Sequence, residues 1–214
     1  MKISAPSRLQ NRTTGFLRAG TSSREKGFSL LEVLISIIIL SFGLLGMVGL
    51  QAAALQANRD ARLQSIAISL ARELAEMMRG NKDVGLASSA NPYVGDFTSP
   101  LTPTTESYCL NVATGTTACA SNAAIADAQM TEWLSRVKTE LPGARVNICV
   151  DSAPFDPSSG LPRWVCTTTG TGATTVIKMG WTRTSTDRSA SGSAALERAT
   201  IPSVVLPITP GNSL

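Results

Sequence analysis

The sequence contains no histidine. That absence removes Ser-His-Asp and Cys-His nucleophile pairs, HExxH metal sites and every imidazole general base. Cysteine is sparse: Cys109, Cys119, Cys149 and Cys166 are all there is, and no two form a CxxC pair. Zinc sites usually draw on close ligand pairs, and thioredoxin-like redox chemistry requires them, so neither is indicated. "TTTGTGATT" lacks the strand-turn-helix setting of a nucleotide site, and "DSAPFDPSSG", with Asp151 and Asp156, lacks the calcium-loop spacing; both read as loops. No catalytic residue, metal or cofactor is expected.

Positive charge is scarce over most of the chain. Lys2, Arg8, Arg12, Arg18, Arg24 and Lys26 face Glu25 alone in residues 1–27, a net of +5. The whole chain carries +4, which leaves −1 for residues 28–214. Beyond residue 27 there is no cationic surplus for nucleic acid, and none is expected to bind. Proline is missing from residue 7 to residue 91, so nothing there forces a helix to stop.

What fills that proline-free span is one long apolar run and an amphipathic sequel. Phe28 to Leu50 is apolar over 23 residues. As a helix it reaches about 35 Å, enough for a bilayer core of about 30 Å. One carboxylate, Glu32, interrupts it. From Gln51 the apolar residues Leu55, Leu63, Ile66, Leu70, Leu74 and Met77 recur at helical spacings, with Arg59, Asp60, Arg62, Arg72, Glu73, Glu76 and Arg79 on the other faces. Gly80-Asn81 supplies the stop. A single helix from Phe28 to Arg79 is therefore predicted, about 78 Å long. Gly43, Gly46 and Gly49 are spaced for a helix-packing face or a meltable stretch, or are simply tolerated glycines.

Residues 81–107 read as a linker or long loop, with Pro92, Pro100 and Pro103 among Gly, Ser and Thr. Asn122 to Leu141 is a second helix, closed by Pro142-Gly143. Strand patterns follow at residues 144–150, 163–169, 174–183 and 197–207, and Thr169 to Gly172 reads as a hairpin loop between the second and third. Trp133, Trp164 and Trp181 read as core. The fold class expected is α+β, a long protruding N-terminal helix packed on a small antiparallel sheet. The domains expected are a leader at 1–27, a membrane half at 28–50, an amphipathic half at 51–80 and a head at 81–214. An even cysteine count in an exported segment reads as two disulfides. Of three connectivities, Cys109–Cys119 and Cys149–Cys166 close the shortest loops.

"KGFSLLEVLISIIIL" resembles the class III signal of type IV pilins and type II secretion pseudopilins. Gly27 matches the residue before the scissile bond, Phe28 the first mature residue and Glu32 the fifth. "SFGLLGMVGLQAAALQANRDARLQSIAISLARELAEMMRGN" is similar to PilV-like minor pilins, the type IV pilus modification proteins; "RVNICVD" and "TTVIKMGWTR" fit more loosely. The resemblance implies cleavage by prepilin peptidase between Gly27 and Phe28, N-methylation of Phe28, and pairing of Glu32 with the Phe28 amine of a neighbouring subunit. It implies as partners other major and minor pilins, the inner membrane before assembly, and a possible tip adhesin.

The residues carry their own reasons. A glycine before the cut has no Cβ and takes up the extended form a peptidase requires. The basic leader sets the orientation, cytoplasmic on its own side and periplasmic beyond the helix. Glu32 also suits the positive end of the helix dipole. The alternatives are a type II secretion pseudopilin and, in another class, a membrane-anchored periplasmic enzyme or binding module.

Overall fold

The computed structural model describes residues 27–111, 117–185, 189, 191–192 and 196–211. The chain divides between Leu50 and Gln51 into two units. Helix α1, Leu30–Gly80, runs through both. It starts two residues later than expected, because the Ser29 carbonyl takes the first bonds, from the N–H of Glu32 (3.0 Å) and Val33 (3.2 Å). Phe28 and Ser29 thus lie outside it.

In the first unit the described side chains bury nothing: Phe28 is 82% exposed and Leu40 61%. In the second unit α1 gains a buried stripe, Ala67, Leu70, Ala71, Leu74, Ala75 and Met78, at the three-and-four spacing of one helix face. Small residues alternating with Leu and Met let other elements approach the helix closely.

Those elements are α2 (Lys82–Gly85), β1 (Gly95–Thr98), α3 (Asn122–Glu140), β2 (Arg145–Asp151), β3 (Thr174–Gly180), β4 (Arg183–Thr184), β5 (Leu196–Glu197) and β6 (Val204–Ile208). Ser121 caps α3, its hydroxyl accepting from the Ala124 N–H at 3.1 Å. Trp133 on α3 is wholly buried and its indole N–H donates to the Leu70 carbonyl at 2.9 Å, tying α3 to α1. Four antiparallel strands form a sheet in the order β1-β2-β3-β6, and β4 and β5 make a separate pair.

The register assigns the two sheet faces. Val146 lies opposite Met179 and Ile148 opposite Ile177; these join α1 and α3 in one core with Trp181, Tyr93 and Phe97. The other face carries Arg145, Asn147, Cys149 and Asp151 on β2, and Val176, Lys178 and Gly180 on β3.

Residues 163–169 do not form the expected strand, and no hairpin joins them to β3. Together with residues 152–162 they form a strap over the second sheet face. The Trp164 ring lies where a Cβ on Gly180 would come within 2.9 Å of it, and the Arg145 guanidinium stacks over that ring at 4.5 Å. Trp164 is therefore buried as expected, but on the side of the sheet away from the helices. The predicted strand at 197–207 divides into β5 and β6 in different sheets, and β1 arises inside the predicted loop 81–107, where only Phe97 of its four residues is buried.

Candidate processing and assembly site

Gly27, Phe28 and Ser29 form an exposed, non-helical lead into α1, and a Cβ on Gly27 would meet nothing within 4 Å. A peptidase needs an accessible chain outside a helix at the bond it cuts, and residues 27–29 are exposed and non-helical. Glu32 is the acidic residue of the first turn, where the helix dipole favours negative charge. Its own carbonyl accepts from the Ser36 hydroxyl at 2.7 Å. Phe28, Glu32, Val33, Ser36, Ile37 and Leu40 together line a shallow groove along one side of the helix start.

The membrane expectation has a direct physical form. The apolar window of α1 has a mean hydropathy of 2.6 and buries none of itself in this chain, and α1 is long and apolar enough to cross a membrane. A core helix of the same composition would be covered.

The four cysteines all belong to the second unit. Cys109 is bonded to Cys119, with Cα atoms 5.0 Å apart, in the connection between β1 and α3. Cys149 on β2 is bonded to Cys166 on the strap, with Cα atoms 6.4 Å apart.

Beside the second disulfide is a pair that sequence reading did not single out. Lys178 and Asp151 are fully buried and their Nζ and Oδ2 atoms lie 2.6 Å apart. Lys178 Nζ also donates to the Val165 carbonyl at 2.9 Å, and Asn147 Nδ2 donates to the Trp164 carbonyl at 3.0 Å. Asp151 Oδ1 accepts from the N–H groups of Ala153 and Thr167, both at 2.9 Å. Burial pushes the Asp151 carboxyl up, but the Lys178 ammonium and those two N–H groups outweigh it and hold it below the ordinary value. Asp151 is therefore not in a solvated loop, as its polar neighbours suggested. The available signal was a lysine within the apolar run "VIKMG" of a strand whose last five residues are buried.

The sulfurs of Cys149 and Cys166 and a carboxylate oxygen of Asp151 lie within 4.8 Å of one another. Both sulfurs are spent in the disulfide and the carboxylate is paired, so the group offers no metal site as it stands.

An exposed peptide ahead of an uncovered apolar helix, continuing into an α+β unit, fits a membrane-anchored subunit. Residues 22–48 match the family model described as the prokaryotic N-terminal methylation motif, and residues 49–133 match the model described as type IV pilin Tt1218. No curated protein and no solved structure is similar enough to count as a match. The two matches support a class III prepilin-like type IV pilin, a family of structural subunits and not of enzymes. The methylation motif implies processing by prepilin peptidase and assembly with other pilins.

Proposed function

We propose that this chain is a minor pilin of the PilV-like group. It is cut between Gly27 and Phe28, methylated on the Phe28 amine, and drawn into the pilus by pairing of Glu32 with that amine on an adjoining subunit. Before assembly it waits in the inner membrane of a Gram-negative cell with the second unit in the periplasm. Afterwards it primes or modifies the pilus near its tip and so supports adhesion, directly or through a tip adhesin, and twitching motility.

The observation that carries this reading is the uncovered apolar helix start with one acid in its first turn, directly after an exposed glycine. A carboxylate among apolar helices is costly, by about 2.5–3.5 kcal/mol at a bilayer centre and less near its surface. A cationic amine at the same depth offsets that cost when both are packed out of water. The type IV pilin match over residues 49–133 favours a pilus over a secretion pseudopilus.

The test is mass spectrometry of the mature N-terminus in cells with and without the peptidase. A start at N-methylated Phe28 is expected. Retention of the basic leader in the presence of the peptidase overturns the reading.

A further inference from the structure

We propose that the Cys149–Cys166 disulfide is a redox-operated latch on the strap 152–169. Its reduction by a dithiol would release the strap and open Lys178 and Asp151 to water, while the helix-side core stays folded.

Lys178 is fully buried on the sheet face away from α1 and α3. The strap covers it, through the Val165 carbonyl above the ammonium and Trp164 lying on Gly180. A buried ion pair recovers hydration when water reaches it, so the pair opposes closure as much as it drives it. The strap adds nothing to the main sheet: its one bridge, Phe155 with Pro162, is internal. Its remaining order is also largely its own. Arg163 Nε donates to the Ala153 carbonyl at 2.8 Å, and the Asp156 N–H to the Leu161 carbonyl at 2.8 Å. Beyond one stacked tryptophan and a few hydrogen bonds, the disulfide is what holds this self-ordered loop to the sheet.

The opposite sheet face has separate support. Val146, Ile148, Ile177 and Met179 pack against α1 and α3, which the strap does not supply. Opening therefore stays local, as expected where few apolar contacts join a segment to the rest. Cys149 and Cys166 are both half-buried rather than sealed in the apolar core.

The chemistry balances. One thiolate of the dithiol attacks one sulfur of the pair, breaking the S–S bond and forming a mixed disulfide. The second thiol displaces the first, leaving a cyclic disulfide on the reductant and two thiols, with two electrons and two protons transferred to the protein. Reduction also releases Phe155, Leu161 and Val165, which the closed strap holds outward, so the latch would change the exposed surface as well as the buried pair.

The test uses the full chain in detergent micelles, acylated with acetic anhydride and read by peptide mass spectrometry. Lys82 and Lys138 are exposed and serve as internal references. With both disulfides intact, Lys178 is expected to react about 100-fold more slowly than they do, and after dithiothreitol to come within about tenfold of them. Amide exchange at Val146, Ile148 and Ile177 should stay slow throughout. A Cys109→Ser/Cys119→Ser protein should keep Lys178 protected. The proposal is overturned if Lys178 stays protected once Cys149 and Cys166 titrate as free thiols. It is also overturned if core exchange accelerates in step with Lys178, which makes the disulfide a global staple, or if the Cys109/Cys119 variant deprotects Lys178 equally.

Discussion

Lys178 Nζ lies 2.6 Å from Asp151 Oδ2, and neither side chain touches solvent. The sheet holds them at staggered positions: Lys178 is opposite Asn147, and Asp151 is opposite Thr174. The lysine therefore reaches along the sheet to its partner. Its apolar stem stays in the dry layer under the strap, and only the ammonium needs satisfying.

Removing one partner should cost far more than removing both charges. Lys178→Met leaves a buried carboxylate uncompensated and is expected to destabilise the second unit by about 3–5 kcal/mol. Adding Asp151→Asn, which keeps an acceptor for the Ala153 and Thr167 N–H groups, should recover more than half. Urea unfolding of the single and double variants measures this, and simple additivity would contradict it.

Acid should weaken the fold through the same carboxylate. Asp151 stays ionised below its ordinary value of 3.8 when folded, because burial, which pushes it up, is outweighed by Lys178 and two N–H groups. Its stabilisation is complete above that ordinary value and is lost as the pH falls from there towards the folded value. Asp156 titrates in the same direction, held at about 2 by the hydroxyl and N–H groups of Ser158 and Ser159, but on an exposed turn. Thermal melts between pH 5 and about 2 should fall for the wild-type chain, and an Asp151→Asn chain, less stable throughout, should fall less steeply.

Gly143 tolerates no side chain. Its φ is +58°, and a Cβ there would come within 2.1 Å of Thr182 Oγ1. Gly143→Ala should cost about 1–3 kcal/mol from the backbone conformation, with the clash in addition. Combining it with Thr182→Ala should recover only the clash. Comparing melting temperatures of the two variants separates the contributions.

One buried indole hydrogen bond joins α3 to α1 within their shared apolar core. Trp133→Phe keeps the ring in the core but removes the donor to the Leu70 carbonyl. A loss of about 1–3 kcal/mol is expected, with faster exchange of amides flanking Leu70. An unchanged stability would mean that water replaces the donor.

On the proposed pairing, Glu32→Val should be cut normally but enter pili poorly, because cleavage would act on the exposed segment and the acid only after packing. Glu32→Gln should behave in the same way if charge rather than polarity matters. Immunoblots of sheared pili against membrane fractions test both, and normal incorporation of Glu32→Val sinks the charge-pairing role.

Much of this was legible because it depends on neighbours in sequence. A proline-free span with a 3.6-residue period reads as helix, and α1 follows it to Gly80, one residue beyond the expected end. Asn122 to Leu141 was visible for the same reason, with Pro142-Gly143 as a stop, and α3 ends one residue earlier, at Glu140; the Ser121 cap was not singled out. "RVNICVD" and "TTVIKMG" alternate and became β2 and β3.

The errors fall where a partner distant in sequence decides. "RWVCTTT" has the composition of a strand, yet its Trp164 and Val165 carbonyls are taken by Asn147 and Lys178, leaving no ladder for it to join. "GDFT" is too short to declare a period, and it is a strand because β2 offers an edge.

The sequence by itself determined the helix, the processing motif and the separation of an apolar segment from a polar one, since each follows from spacing and transfer free energy along a continuous chain. Only the tertiary structure decided which sheet face would be closed by helices and which by a disulfide-held strap. Strand register, fixed by pairing between residues far apart in the chain, puts Lys178 and Asp151 on one face, and Trp164 on the strap closes over that face.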